Sequence, residues 1–128
     1  MTSSSFKLQE GHEFHQQDGL LHSHADRPAV IYADGTQWWY REGQVHRDNG
    51  PAVVHANGVE EWWQENKRHR ADGPAVTYPT TLVITPALRG VKQWWLDGRL
   101  QREELPGPVQ RYRVMVEQVY RSCFGDKP

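Results

Sequence analysis

PAVVHANGVEEWWQENKRHRADG, residues 51–73, decides the fold, because its landmarks return along the chain at a fixed spacing. Pro28-Ala29-Val30, Pro51-Ala52-Val53 and Pro74-Ala75-Val76 stand 23 residues apart, and the turn glycines Gly35 and Gly58 share that period. A unit this short cannot bury its apolar face alone, so the self-similarity predicts a stack of supersecondary repeats. In that frame Trp39-Tyr40, Trp62-Trp63 and Trp94-Trp95 are equivalent and Trp38 is an additional aromatic. Arg47, Arg70 and Arg102 each fall eight residues after the first aromatic of their pair. The third unit is longer: its proline precedes Trp94 by 20 residues where the first two units have 11, which places a nine-residue insertion at 80–88. Within it, Thr80-Thr81-Leu82-Val83-Ile84-Thr85 reads as an extra β segment. Upstream, Asp18-Gly19-Leu20-Leu21-His22 mimics Glu42-Gly43-Gln44-Val45-His46, so residues 11–27 read as a degenerate half-repeat capping the stack.

Each unit opens on proline, which fixes φ, offers no amide and suits the first residue of a strand. Asp34-Gly35 and Asn57-Gly58 are expected to form type I′ hairpin turns with positive φ at both residues. The tryptophan strand then ends at Glu42-Gly43, Glu65-Asn66 or Asp97-Gly98, where asparagine replaces glycine at a left-handed position. The expected architecture is mainly β: a single elongated antiparallel meander of hairpins, three repeats over residues 28–102, with a C-terminal α-helix. That helix is expected over residues 106–124, where Val109, Tyr112, Met115, Val116, Val119, Tyr120 and Cys123 share one helical face. Neighbouring strand residues point to opposite faces, so Trp39, Trp62 and Trp94 form one ladder, and Tyr40, Trp63 and Trp95, with Trp38, the other. A short helix covers only part of one face, and uncovered aromatic area marks an interface.

At 128 residues the chain is one domain. Its formal charge of −1, from 15 basic and 16 acidic side chains, supplies no global field for nucleic acid or anionic membranes. Cys123 is the only cysteine, so no intrachain disulfide forms and a cytoplasmic setting is expected. No stretch approaches the apolar length of a membrane span. Residues 1–10 read as a loose tail, since Met1-Thr2-Ser3-Ser4-Ser5 lacks the apolar core of a signal peptide.

Trp39, Gly43, His46, Gly50 and Gly58 in one unit, with Trp62, Asn66, His69 and Gly73 in the next, resemble the MORN repeat, a short β-hairpin unit. The resemblance covers residues 19–102. It departs where MORN units carry glycine after histidine, because Arg47 and Arg70 stand there; the His-Arg-x-x-Gly-Pro-Ala-Val string is similar to a variant of small bacterial and phage proteins. The resemblance implies non-catalytic scaffolding, protein binding or, in some members, lipid contact, and a likeness to antitoxin-like proteins implies an inhibitor role.

The candidate chemistry is that of a binding surface. His46-Arg47-Asp48 mimics the start of a kinase catalytic loop, but no companion motif accompanies it, and its return as His69-Arg70-Ala71 marks a repeat position. His46 and His69 are expected one above the other, donating hydrogen bonds at strand ends. A metal site from His22, His24, His46 and His69 lacks the local ligand spacing of zinc sites, so no metal or cofactor is expected. Glu60-Glu61 reads as a solvated strand pair whose carboxylates face opposite sides. The leading expectation is therefore a non-enzymatic inhibitor or adaptor binding another protein through Trp38, Tyr40, Trp63, Trp95, Arg47 and Arg70, residue types that dominate interface hot spots. A second copy of the chain is another candidate partner. The alternative is a single-stranded nucleic-acid reader, with bases stacked on tryptophan and phosphates held by Arg47 and Arg70.

Overall fold

The computed structural model describes residues 2–7 and 10–106. The strands are β1 (Ser3–Lys7), β2 (Glu13–Gln17), β3 (Leu20–Leu21), β4 (Val30–Ile31), β5 (Gln37–Trp38), β6 (Tyr40–Arg41), β7 (Gln44–Val45), β8 (Val53–Val54), β9 (Glu60–Glu61), β10 (Trp63–Gln64), β11 (Lys67–Arg68), β12 (Val76–Thr77), β13 (Lys92–Leu96) and β14 (Arg99–Glu104). They form an antiparallel meander in the order β1-β2-β4-β5-β8-β9-β12-β13-β14, with β3 beside β2 and two side hairpins, β6-β7 and β10-β11. Ser3–Lys7, expected within a loose tail, pairs along its whole length with β2, and Phe6 stacks on Phe14 at 5.3 Å. The helix expected over residues 106–124 lies, beyond Pro106, outside the described residues, as does Cys123.

The side hairpins exist because each unit creases at its first tryptophan. The Trp39 amide donates to the Ala52 carbonyl of the main sheet, while the Trp39 carbonyl accepts from His46, one strand further on. Trp62 repeats this with Ala75 and His69. In the third unit β13 stays continuous, but its register against β14 shifts between Trp94 and Trp95. A bulge of this kind bends a strand and increases its twist.

The two turn series exchange the roles expected of them. Gly35 and Gly58 have φ of +94° and +93°, but Asp34 and Asn57 do not have positive φ. These are three-residue connections: the Gly58 amide donates to His55, the His55 amide to Val59, and the Asn57 side chain accepts from the Val59 amide. Glycine is thus the left-handed bulge residue after a type I turn. Type I′ geometry belongs to the second series: Asp18-Gly19, Glu42-Gly43, Glu65-Asn66 and Asp97-Gly98 all have positive φ at both positions. The two-residue length of that link decides the matter, because only the primed turn follows the twist of its strands.

The apolar core is thin and repetitive. Ala29, Ala52 and Ala75 are fully buried, and Val30, Val53 and Val76 nearly so. Cα pairing aligns Val30, Trp38, Val53, Glu61, Val76 and Gln93 in one row across the sheet, so all six share a face. The insertion forms no strand. Tyr78 pairs with both Val91 and Gly90 at its neck, so the segment closes as a loop, which among the described residues has no neighbouring strand and ends in a 3-10 turn at Pro86–Leu88. Leu82 anchors it in a cluster with Val59 and Val76, and Arg89 donates to the Leu82 carbonyl. Val83 and Ile84 project outward, 80% and 89% exposed.

Candidate interaction surface

The first tryptophan of each unit is closed over by the arginine eight residues later. Arg47 lies 4.0 Å from the Trp39 ring centre, Arg70 3.8 Å from Trp62 and Arg102 3.9 Å from Trp94. The His-Arg-x-x-Gly-Pro string has its cause here. Arg47 Nη1 donates to the Pro51 carbonyl and Arg70 Nη1 to that of Pro74. A Cβ at Gly50 or Gly73 would lie 2.9 Å from the guanidinium carbon, so at these two positions glycine leaves the arginine room both to stack and to reach the proline carbonyl. Carboxylates complete each staple: Asp26 takes two bonds of 3.0 Å from Arg47, and Asp72 one of 3.0 Å from Arg70. The Arg47 bond holds the Asp26 carboxyl below its ordinary value against a weaker opposing effect of desolvation. In the last unit Leu105 and Pro106 stand where Gly50-Pro51 do, and Arg102 keeps its stack but is 62% exposed, with a looser 3.8 Å pair to Glu104.

The histidines stitch successive units. His22 Nδ1 accepts from the Glu42 amide, His46 Nδ1 from Glu65 and His69 Nδ1 from Asp97, in each case the first residue of the next type I′ turn. Donation is expected of His46 and His69 from the sequence; across the units their Nδ1 atoms accept instead. Because Nδ1 of the buried His46 is an acceptor, its Nε2 carries the proton and donates to Asp48 at 2.8 Å. Both ring nitrogens are committed, although His46 borders a cleft of about 270 Å³ with Asp26, Trp39, Tyr40 and Arg47. Among the described residues no group of three or more His, Cys, Asp or Glu side chains is placed to hold a metal ion.

The opposite face carries the second aromatic ladder. Trp38 stacks on Tyr40 at 6.2 Å, the Trp63 indole donates to Glu61 at 3.3 Å and the Trp95 indole to Gln93 at 3.0 Å, which fixes these pairs on one side of the sheet. Trp38, Tyr40, Trp63 and Trp95 are each half-buried, and burial raises the Tyr40 phenol above its ordinary value. The structure thus brings these four candidate residues together. Arg47 and Arg70 do not join them and are spent on Trp39 and Trp62.

Glu61 corrects the reading of Glu60-Glu61 as a solvated pair, being 8% exposed in the row that holds Trp38. Its Oε1 accepts from Arg68 Nε at 3.0 Å and pairs with Nη2 at 3.0 Å, and its Oε2 faces His55 Nε2 at 2.6 Å. Burial is the largest single influence and pushes the carboxyl up, but the His55 bond and the Arg68 charge and bond together outweigh it, leaving the group below its ordinary value. Arg68 in turn sits between two indoles, 5.4 Å from the Trp63 ring centre and 5.0 Å from Trp95. Over it opens a cleft of about 220 Å³ lined by Trp63, Asn66, Lys67, Arg68, Trp95 and Gly98. A signal for Glu61 was present in the repeat itself: where the first unit has Trp38 and Val45, the second has Glu61 and Arg68, opposite charges entering together. No protein-family model matches the chain, and neither curated proteins nor solved structures yield a match to it.

Proposed function

We propose that the chain is a non-catalytic protein-binding module of the MORN-like kind, an inhibitor or adaptor acting in the cytoplasm, that engages its partner through Trp38, Tyr40, Trp63 and Trp95. One observation supports this above the rest. Trp39, Trp62 and Trp94 each have an arginine of their own within 4.0 Å, whereas Trp63 and Trp95 share Arg68 at 5.4 and 5.0 Å and flank a cleft over it. Half-buried aromatics around a cleft are the usual seat of interface hot spots. Arg47 and Arg70 enter this reading as the scaffold that holds the sheet and not as contacts. Among the described residues no helix is long and apolar enough to cross a membrane.

The same staples weigh against the nucleic-acid reading, since Arg47 and Arg70 already serve an indole, a carbonyl and a carboxylate each. Cross-linking in the native host, followed by binding assays on Trp95→Ala and Arg70→Ala, tests the proposal. Loss of the partner with Trp95→Ala at unchanged fold is the expected result. A chain that captures no partner and remains a monomer refutes it, and retention of single strands at low salt, abolished by Arg47→Ala plus Arg70→Ala, replaces it with the alternative.

A further inference from the structure

Comparing the units with one another separates what builds the sheet from what varies upon it. Proline, alanine, valine, the first tryptophan and its arginine recur in all three units and are accounted for by burial and stapling. The variable positions lie around the second aromatic ladder: Trp38, Glu61 and Gln93; Val45, Arg68 and Leu100; Gln44, Lys67 and Arg99. The last set turns from neutral to basic along the array, and Lys67 and Arg68 both line the cleft between Trp63 and Trp95. Resting on the protein-binding reading, we infer that this cleft receives an acidic side chain of the partner protein, its carboxylate held by Arg68 and Lys67 between the two indoles.

Three observations carry the inference. Arg68 spends Nε and Nη2 on one oxygen of Glu61, and Nη1 has no partner among the described residues. Lys67 lays its stem against Gly98, 3.7 Å from a Cβ there, and its ammonium meets no carboxylate among the described residues. The cleft wall therefore holds two cations against one buried carboxylate, a surplus of one positive charge. Glu65 and Asp97, in the flanking turns, do not line it, and the Asp97 carboxylate lies 3.5 Å from His69. Indole walls exclude water, so a carboxylate meeting a guanidinium there forms the stronger, charge-assisted kind of hydrogen bond. The chain's net charge of −1 offers a run of phosphates no general attraction.

The test uses the full chain and two fluorescein-labelled Gly/Ser peptides, one with a central Leu-Glu-Glu-Leu and one with Leu-Gln-Gln-Leu, beside a short thymidine oligonucleotide, read by anisotropy and tryptophan quenching. The glutamate peptide should bind about tenfold more tightly than the glutamine peptide, and Lys67→Glu should erase that difference without altering the melting temperature. Equal binding of the two peptides, binding of neither, or tighter binding of the oligonucleotide overturns the inference. A host partner held equally by wild type and Lys67→Glu also overturns it, while leaving the protein-binding reading intact. Failure of both proteins to hold any partner removes the two together.

Discussion

Replacing Gly50 by alanine should destabilise the protein only while Arg47 is present. Gly50 does not have positive φ, so alanine fits its backbone, and on backbone grounds alone it would stabilise by about 0.5 kcal/mol. The obstacle is the guanidinium, 2.9 Å from the new Cβ. Displacing it loses a largely desolvated cation-π stack, about 1–2 kcal/mol, and the 3.1 Å bond to the Pro51 carbonyl, about 1 kcal/mol. The paired Asp26 is more than half exposed and adds about 0.5 kcal/mol at most. The net expectation for Gly50→Ala is a loss of about 2 kcal/mol, or about 8 °C in melting temperature.

Arg47→Ala alone should cost about 2–3 kcal/mol, and Gly50→Ala added to it should cost nothing or recover about 0.5 kcal/mol. Urea unfolding followed by tryptophan fluorescence measures all four corners of the cycle, and the coupling should be about 2–3 kcal/mol. The Gly73 and Arg70 pair, with the same 2.9 Å approach, should behave alike. Additive losses at both pairs would refute the staple and leave the Gly-Pro step without a cause.

Three further outcomes follow from the geometry. Asn66→Ala should cost about 2 kcal/mol in thermal melts, because Asn66 has φ +67° and its side chain accepts the Val45 amide at 2.7 Å, whereas Asn57→Ala, which loses only a bond within its turn, should cost below about 1 kcal/mol. Glu61 has a folded-state pKa below its ordinary value, so its contribution is complete above about pH 4.5 and is lost as pH falls through the lower folded value; melts from pH 7 to pH 3 should show a steeper acid loss for wild type than for Glu61→Gln. Trp39→Ala should unfold the protein at a cost of about 3–5 kcal/mol, since Trp39 is 5% exposed beneath Arg47, while Trp95→Ala should leave a cooperative transition in urea.

Much of this fold was legible because the repeat period is a covalent fact while each unit's structure is a consequence of it. The hairpin meander and the Asp18-Gly19 turn, equivalent to Glu42-Gly43, follow from aligning the units, whereas the crease at the first tryptophan does not. What failed was reading short strings in isolation. Asn57-Gly58 is a strong type I′ signal, yet loop length selects the turn, and the three residues between the bonded His55 and Val59 place left-handed geometry on glycine alone. Thr80-Thr81-Leu82-Val83-Ile84-Thr85 has strand composition, but a strand needs a neighbour, and the loop neck at Tyr78, Gly90 and Val91 provides none.

The site shows the same division between position and environment. Arg47, Arg70 and Arg102 were visible as a recurrent spacing, but spacing does not say whether a guanidinium faces a partner or its own tryptophan; all three stack, and in the first two units the glycine three residues on makes room for the guanidinium to bond the next carbonyl as well. Leu105 supplies the internal contrast: with a side chain in that place, Arg102 remains on Trp94 but stands open to solvent. Glu61 escaped notice because the groups that compensate its burial, His55 and Arg68, lie six residues before and seven after it and meet it only once two hairpins have formed. A carboxylate on an apolar face is costly unless each oxygen is paired, so the middle unit retains Glu61 only with Arg68 beside it. That pair costs the sheet an aromatic at the place of Trp38, and in exchange it sets a guanidinium between Trp63 and Trp95, where the open face has its cleft.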